Sequence, residues 1–280
     1  MKTVFPFFAL LLLLLLAGTG CRSTAPGHMR TEGDTTQTAV ISEQKEDADL
    51  PGIGETPPAA PSTQSIEVSD PIEPINRAFF TFNDKLYFWM LKPLSQGYSA
   101  ILPMSARRCV KNFFSNIATP VRLVNCTLQA EFDGAWIEIE RFAINTTVGV
   151  AGFGDPARNR WQMEKRNEDL GQTLGRYGLG TSIYLNWPIL GPSNVRDTAG
   201  YAGDLFLDPI NYLIPDFWYN VGIRSYETVN GTSLRVGDYE DFKEAAIDPY
   251  VALRDAYYQY RKNQVNNNEG RRARPAGPTE

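Results

Sequence analysis

The sequence predicts a mainly α-helical domain with a loop-rich, glycine-rich centre, and three observations predict it. Apolar residues between 70 and 262 recur at the three- and four-residue spacing of helices rather than the alternation of strands. Proline beside acid, as in Asp70-Pro71-Ile72-Glu73-Pro74 and Asp248-Pro249, marks helix starts, where a missing N–H is tolerated and a carboxylate meets the positive helix end. Seven glycines, at 149, 152, 154, 171, 175, 178 and 180, gather in the middle of this block. All five tryptophans and all thirteen tyrosines fall within 70–262, a length sufficient for one domain with its own core.

Residues 1–20 read as a secretory signal. Lys2 precedes an apolar run from Val4 to Leu16 that ends in seven consecutive leucines. That run is shorter than the roughly 20 residues a spanning helix needs. The small residues Ala17 to Gly20 lead to Cys21, the position at which bacterial lipoprotein processing attaches diacylglycerol to sulfur and cleaves. Gly18 departs from the leucine preferred three residues before that cysteine, and ordinary cleavage leaving a Cys21 thiol is the alternative. Acyl chains contribute about 0.8 kcal/mol per buried CH₂, enough in combination to hold a protein on a membrane. Arg22 stands where lipoproteins of the inner membrane often carry Asp, which favours the outer membrane.

After Cys21, residues 22–68 hold eight acids, three bases, five prolines and no Phe, Tyr or Trp. Such a segment cannot bury enough apolar surface to offset its ordering entropy, so 21–68 is expected to be a disordered acidic tether. The domain proper is expected at 69–262. Its first helix runs from Asn76 to Leu91 and is expected to stop at Pro93. Helices follow from Met104 to Ser115 and from Pro120 to Leu128, forming a hairpin, and then from Glu131 to Val148. Short extended pieces are expected at 182–185 beside a turn at 190–193, and a last helix from Val251 to Arg261. Residues 263–280, with Arg271, Arg272 and Arg274, are expected to be a disordered tail.

Composition removes several function classes. A net charge of −5 argues against nucleic acid. The single histidine, His28, lies in the tether, so a Ser-His-Asp or Cys-His site in the domain is excluded, as are the common histidine-based metal sites. No Gly-x-Ser-x-Gly elbow occurs, and the Gly149, Gly152, Gly154 spacing does not make a phosphate loop. Carboxylate pairs such as Glu138 and Glu140 read as helix-face residues. No catalytic residue, metal or cofactor is therefore expected.

The first helix is unusually aromatic. Phe79, Phe80, Phe82, Tyr87, Phe88 and Trp89 make six of the thirteen residues from Phe79 to Leu91. Ile75, Phe79, Phe82, Leu86 and Trp89 form one stripe, whereas Phe80, Tyr87, Phe88 and Leu91 add a second apolar face. One face suits the core; the other suits either more core or the membrane interface, where Trp and Tyr are favoured. Cys109 and Cys126, if the 104–128 hairpin forms, would come level across it as either a disulfide or two reduced thiols.

Several motifs in order carry a resemblance. They are Asp70-Pro71-Ile72-Glu73-Pro74-Ile75-Asn76-Arg77; Lys92-Pro93; Arg141-Phe142 with Asn145-Thr146; Glu168 through Gly175 with Tyr177-Gly178-Leu179-Gly180; Pro188 with Leu190-Gly191-Pro192-Ser193; Arg196-Asp197; and Asp248-Pro249-Tyr250 with Arg254, Ala256-Tyr257 and Gln259. Together they resemble the MlaA (VacJ) lipoprotein family, over about 70–262. The resemblance implies a helical, ring-like, membrane-embedded domain in the inner leaflet of the outer membrane, beside a trimeric porin. It implies removal of phospholipid misplaced in the outer leaflet, which is bound as a transported ligand and passed to a soluble periplasmic carrier. Passive porin or cell-wall binding is the alternative, and a lipid hydrolase a more distant one. Arg77, Arg141 and Arg176 are candidates to meet a lipid phosphate, or else members of Arg–carboxylate pairs. Asn145 joins the channel candidates, as do Gly171, Gly175, Gly178 and Gly180, which either flank a mobile channel loop or serve tight turns. Asp70 and Asn76 read as helix caps or contacts.

Overall fold

A computed structural model describes residues 70–272, with side chains to residue 266. The signal, Cys21, His28, the tether and the tail beyond 272 lie outside the described residues. Helix α1 (Glu73–Leu86) starts with Pro74 in its first turn. Asp70 is not its cap: the carboxylate accepts from the Asn76 amide at 2.8 Å and from the Tyr250 hydroxyl. Nor does Pro93 stop the helix. Tyr87–Leu91 widen into a π-helical turn in which the Lys92 N–H reaches Tyr87 O, and α2 (Lys92–Ile101) continues with Pro93 in its first turn. The wide turn shifts the carbonyl that the proline ring would strike.

Helices α3 (Met104–Ile117) and α4 (Thr119–Leu128) are separated by Ala118 alone and do not form the expected hairpin. α4 doubles back instead on α5 (Phe132–Thr147), through a turn in which Ala130 has a φ of 52°. The chain then forms α6 (Pro156–Trp161), α7 (Leu170–Arg176) and an antiparallel hairpin of β1 (Tyr184–Trp187) and β2 (Gly191–Asn194), with Tyr184 opposite Asn194. α8 (Val195–Asp204), α9 (Pro209–Leu213), α10 (Phe217–Ser233), α11 (Asp238–Ala245) and α12 (Pro249–Arg272) complete the described residues. α3 packs chiefly on α10. Cys109 and Cys126 are consequently separate thiols rather than a disulfide. Burial pushes the Cys126 thiol up to about 12. Alkylation under non-reducing, denaturing conditions is expected to label both cysteines; protection of the pair would contradict this packing.

The hairpin is tied to α1 by asparagines rather than by apolar contact alone. The Asn76 amide donates to Tyr184 O at 3.0 Å and accepts from Asn186 N at 2.9 Å, so one side chain satisfies the free edge of β1. Asn83, seven residues on, donates to Trp187 O and accepts from Ile189 N. Tyr184, Tyr250 and Tyr258 form a small core with Phe80, Val251 and Tyr257 against it. α12 runs past the expected end at Arg261, because Gln264 bonds Tyr260 and Arg261 while Val265 reaches Gly175.

Burial is inverted relative to a water-soluble domain. Among the described residues, eleven hydrophobic ones are buried, against twenty-two buried polar or charged ones, and thirty-one large hydrophobics are exposed. All five tryptophans are among the exposed. Soluble interiors hold the opposite balance. Among the described residues no helix is long and apolar enough to cross a membrane. The apolar surface is spread over many short helices.

Candidate functional site

The polar interior centres on α5. Glu138, Arg141 and Asn145 share its inward face, while Trp136 and Glu140 share the outward one, bonded to each other at 2.8 Å. Glu138 and Glu140 therefore point apart and do not form an acid/base pair. Glu138 is fully buried; it accepts from Arg122 Nε and from the Arg166 backbone N–H, each at 2.7 Å. Arg141 pairs with Asp155 at 2.9 Å and donates to Met163 O. Asn145 donates to the same Asp155 at 2.9 Å and accepts from Ala157 N, and Asp155 caps α6. Thus Arg141 and Asn145, both channel candidates, fasten the loop after α5 onto that helix. The cavity beside them, lined by Asn112, Asn116, Arg122 and Arg141 among others, measures about 20 Å³. That is room for about one water and far too little for a lipid.

Arg77 is likewise occupied, by Glu73 at 2.7 Å and Asp248 at 2.8 Å, with its guanidinium over the Tyr250 ring. Arg176, at the end of α7, has a neutral partner, Gln129 Oε1 at 3.2 Å. Gly171 and Gly175 lie within α7 rather than in a loop, and the reason is close approach. A Cβ on Gly171 would lie 2.6 Å from Asp197 Oδ1, and one on Gly200 of α8 would lie 2.6 Å from Gly171 Cα. The two helices pack through their glycines. Gly178, at a φ of 91°, and Gly180 follow in an exposed segment, with nothing within 4 Å of either Cβ position.

Sequence reasoning missed the ion cluster that joins α12 to this helix pair. Arg261 donates to Asp169 at 2.6 and 2.9 Å and to Asp197 at 2.8 and 3.0 Å, while Arg196 and the Tyr257 hydroxyl also reach Asp197. No local pattern marks the three charges: Asp169 follows Glu168, Asp197 follows Arg196, and Arg261 stands beside Lys262, so only the folded packing brings them together.

Burial alone would raise Asp169 and Asp197, but the Arg261 charge and its hydrogen bonds hold both low, Asp169 at about 2. Burial pushes Asp204 up to about 6 and Glu227 up to about 7. The depressed pair contributes stability that is complete above the unfolded pKa near 4 and is lost as pH falls towards 2. The raised pair contributes stability that is complete below that unfolded value and is lost as pH rises through 6 and 7. Thermal melts are expected to show a maximum between about pH 4 and 5. A maximum at pH 8 would contradict the assignment.

The aromatic first helix does have two faces. Tyr87 and Leu91 are buried, Phe79, Phe80 and Phe88 are partly buried, and Phe80 meets Tyr250 edge-on at 5.8 Å. Ile75, Phe82, Trp89 and Met90 are exposed. Phe132, Trp136, Ile139 and Phe142 form a comparable outward stripe on α5, and Phe217, Trp218 and Tyr219 open α10.

The comparisons agree with one another. The model of the MlaA lipoprotein family matches residues 68–264. An uncharacterized protein of Rickettsia felis is 33% identical over 201 residues, covering 71% of this chain and 79% of that protein. The intermembrane phospholipid transport system lipoprotein MlaA of Escherichia coli is 31% identical over 205 residues, covering 72% of this chain and 80% of that protein. Its counterpart in Haemophilus influenzae is 29% identical, covering 73% and 82%. A solved chain, from work on the structural basis for maintenance of bacterial outer membrane lipid asymmetry, aligns with a TM-score of 0.63 at 31% identity, covering 71% of this chain and 100% of that one. A family match across the whole helical body, shared with relatives and a solved fold, establishes that this chain belongs to the MlaA lipoprotein family.

Proposed function

We infer that this protein removes phospholipid misplaced in the outer leaflet of the outer membrane and passes it to a soluble periplasmic carrier, maintaining lipid asymmetry. The observation that carries the reading is the inverted burial: among the described residues thirty-one large hydrophobics are exposed, over an interior of paired charges and amides. An apolar outside lowers its free energy in acyl chains, at roughly 25 cal/mol per Å² removed from water. A polar inside offers a headgroup hydrogen-bonding groups in place of hydration. No chemical step is required, because a lipid leaving the wrong leaflet moves downhill once its charged head is screened. Onward direction comes from the receiving carrier. The family name and its transport relatives support this reading.

On the same reading the domain is ring-like and embedded in the inner leaflet beside a trimeric porin. Phospholipid is its bound ligand, and neither metal nor catalytic group takes part. The lipidated Cys21 and the acidic tether hold it to the membrane. Deleting the gene is expected to let phospholipid accumulate in the outer leaflet and to sensitise cells to detergent, with both reversed by the intact gene. A normal outer leaflet with lost lipid-hydrolysing activity would favour an enzyme. A normal leaflet with weakened porin or cell-wall attachment would favour a passive adaptor.

A further inference from the structure

Two of the three arginines suited to a lipid phosphate are already neutralised, Arg77 by Glu73 and Asp248 and Arg141 by Asp155. Arg176 is not. Its side chain is partly buried in the last turn of α7, and among the described residues it forms no ion pair. Nη1 donates to Gln129 Oε1, and the Gln129 amide is itself fixed by Glu168 at 3.0 Å and Thr173 at 3.1 Å. One corner of the guanidinium is thus held in place while the rest is left for another acceptor. A guanidinium edge matches two oxygens of a phosphate, and an uncompensated cation at a partly buried site is stabilised by acquiring one.

The surroundings narrow the ligand. Leu128, Tyr177 and Leu179 are exposed around Arg176, with the Tyr177 hydroxyl bonded to Leu128 O at 2.5 Å. Gly178 and Gly180 leave the adjoining backbone open, with nothing near either Cβ position. A fixed cation beside exposed apolar side chains and bare backbone suits a phosphodiester carrying a glycerol and acyl chains. We propose that Arg176 binds the phosphate of the phospholipid this protein carries, with Tyr177 and Leu179 flanking its glycerol end. The proposal rests on the transport reading and adds the residue that selects a phosphate-bearing lipid. Free phosphate shares the headgroup chemistry, so the test separates the two.

Full-length lipoprotein, either wild type or with Arg176→Lys, Arg176→Gln, Arg176→Glu or Leu179→Gln, is expressed in the deletion strain and extracted from membranes. Copurified phospholipid is then measured per mole of protein. Loss of charge-assisted bonds predicts about tenfold less lipid for Arg176→Gln and Arg176→Glu, with Arg176→Lys intermediate. Leu179→Gln should also carry less lipid. Lipid contents equal to wild type in both Arg176→Gln and Arg176→Glu would overturn the assignment. So would tight binding of inorganic phosphate at Arg176 together with undiminished lipid in Leu179→Gln, since the site would then belong to the free ion. p-Benzoylphenylalanine at position 177 keeps the test independent of any folding defect in the arginine variants. Light should attach phospholipid there, and the absence of an adduct in protein that still clears the outer leaflet would refute the site. A wild-type gene that fails to lower outer-leaflet phospholipid sinks the transport reading itself. Clearance by wild type and Arg176→Glu alike, with equal lipid, removes the Arg176 assignment alone.

Discussion

Glu138→Ala is expected to destabilise the body by about 3 to 5 kcal/mol. The Glu138 side chain is 0% exposed and that of Arg122 only 10%. Truncation strips Arg122 Nε and the Arg166 N–H of their acceptor and leaves a guanidinium inside the protein with the Ser115 carbonyl and the Thr119 hydroxyl as its partners. Folded domains are stable by about 5 to 15 kcal/mol in total, so the loss removes a large share. Glu138→Gln keeps the shape and one acceptor and should fall between. Combining Glu138→Leu with Arg122→Met removes both charges and should recover most of the loss, because well-packed apolar replacements of a buried pair are often neutral. Denaturant unfolding of detergent-solubilised protein measures each. A loss below about 1 kcal/mol for Glu138→Ala would show that the pair is not desolvated as described.

Arg261→Ala should cost a similar amount, about 3 to 5 kcal/mol, for the opposite reason. It leaves Asp169 without the cation that holds its pKa down, and Asp197 with only Arg196 and the Tyr257 hydroxyl in place of two guanidinium groups. The defect is therefore expected to be larger at pH 7 than near pH 3, where protonation relieves it. Asp169→Asn with Asp197→Asn should partly rescue Arg261→Ala. Because Arg261 is what ties α12 to α7 and α8, limited proteolysis should cut the variant within 249–272 before the rest of the body. An identical defect at both pH values would rule out the electrostatic explanation.

Local signals in the sequence carried the elements, whereas their partners depended on tertiary packing. Helical spacing and proline-acid starts located α1, α3, α4, α5 and α12, since both are properties of a single segment, but α2, α8 and the 17-residue α10 were not anticipated. Pro93 misled because a prolyl stop presumes a regular helix before it, and a π turn removes that premise. The helix pairing beneath Cys109 and Cys126 was misassigned because a proline at position 120 reads as a reversal, yet Ala118 gives only a bend and the reversal comes at Ala130. The glycines of α7 read as loop formers when their use is close contact with Asp197, Arg196 and Gly200. Glu138 resembled any exposed helix acid. Only the inward neighbours Arg141 and Asn145, three and seven residues on, marked its face, and Arg122 lies on a different helix. The tail was read as disordered from its composition, but contacts made by Gln264 and Val265 extend the helix.

Whether the body is embedded depends on which solvent its apolar surface meets. Trp89 and Trp218 are each 77% exposed, and even Trp187, the least exposed tryptophan, reaches 39%. In water such rings are costly; at headgroup level they are stabilising. The most direct measurement is tryptophan emission from the full-length lipoprotein reconstituted in bilayers containing brominated phospholipid. If the body is embedded as inferred, bromolipid quenches most of the emission and aqueous iodide quenches little. Strong quenching by iodide with bromolipid inert would place the apolar surface in water or against protein and contradict the account.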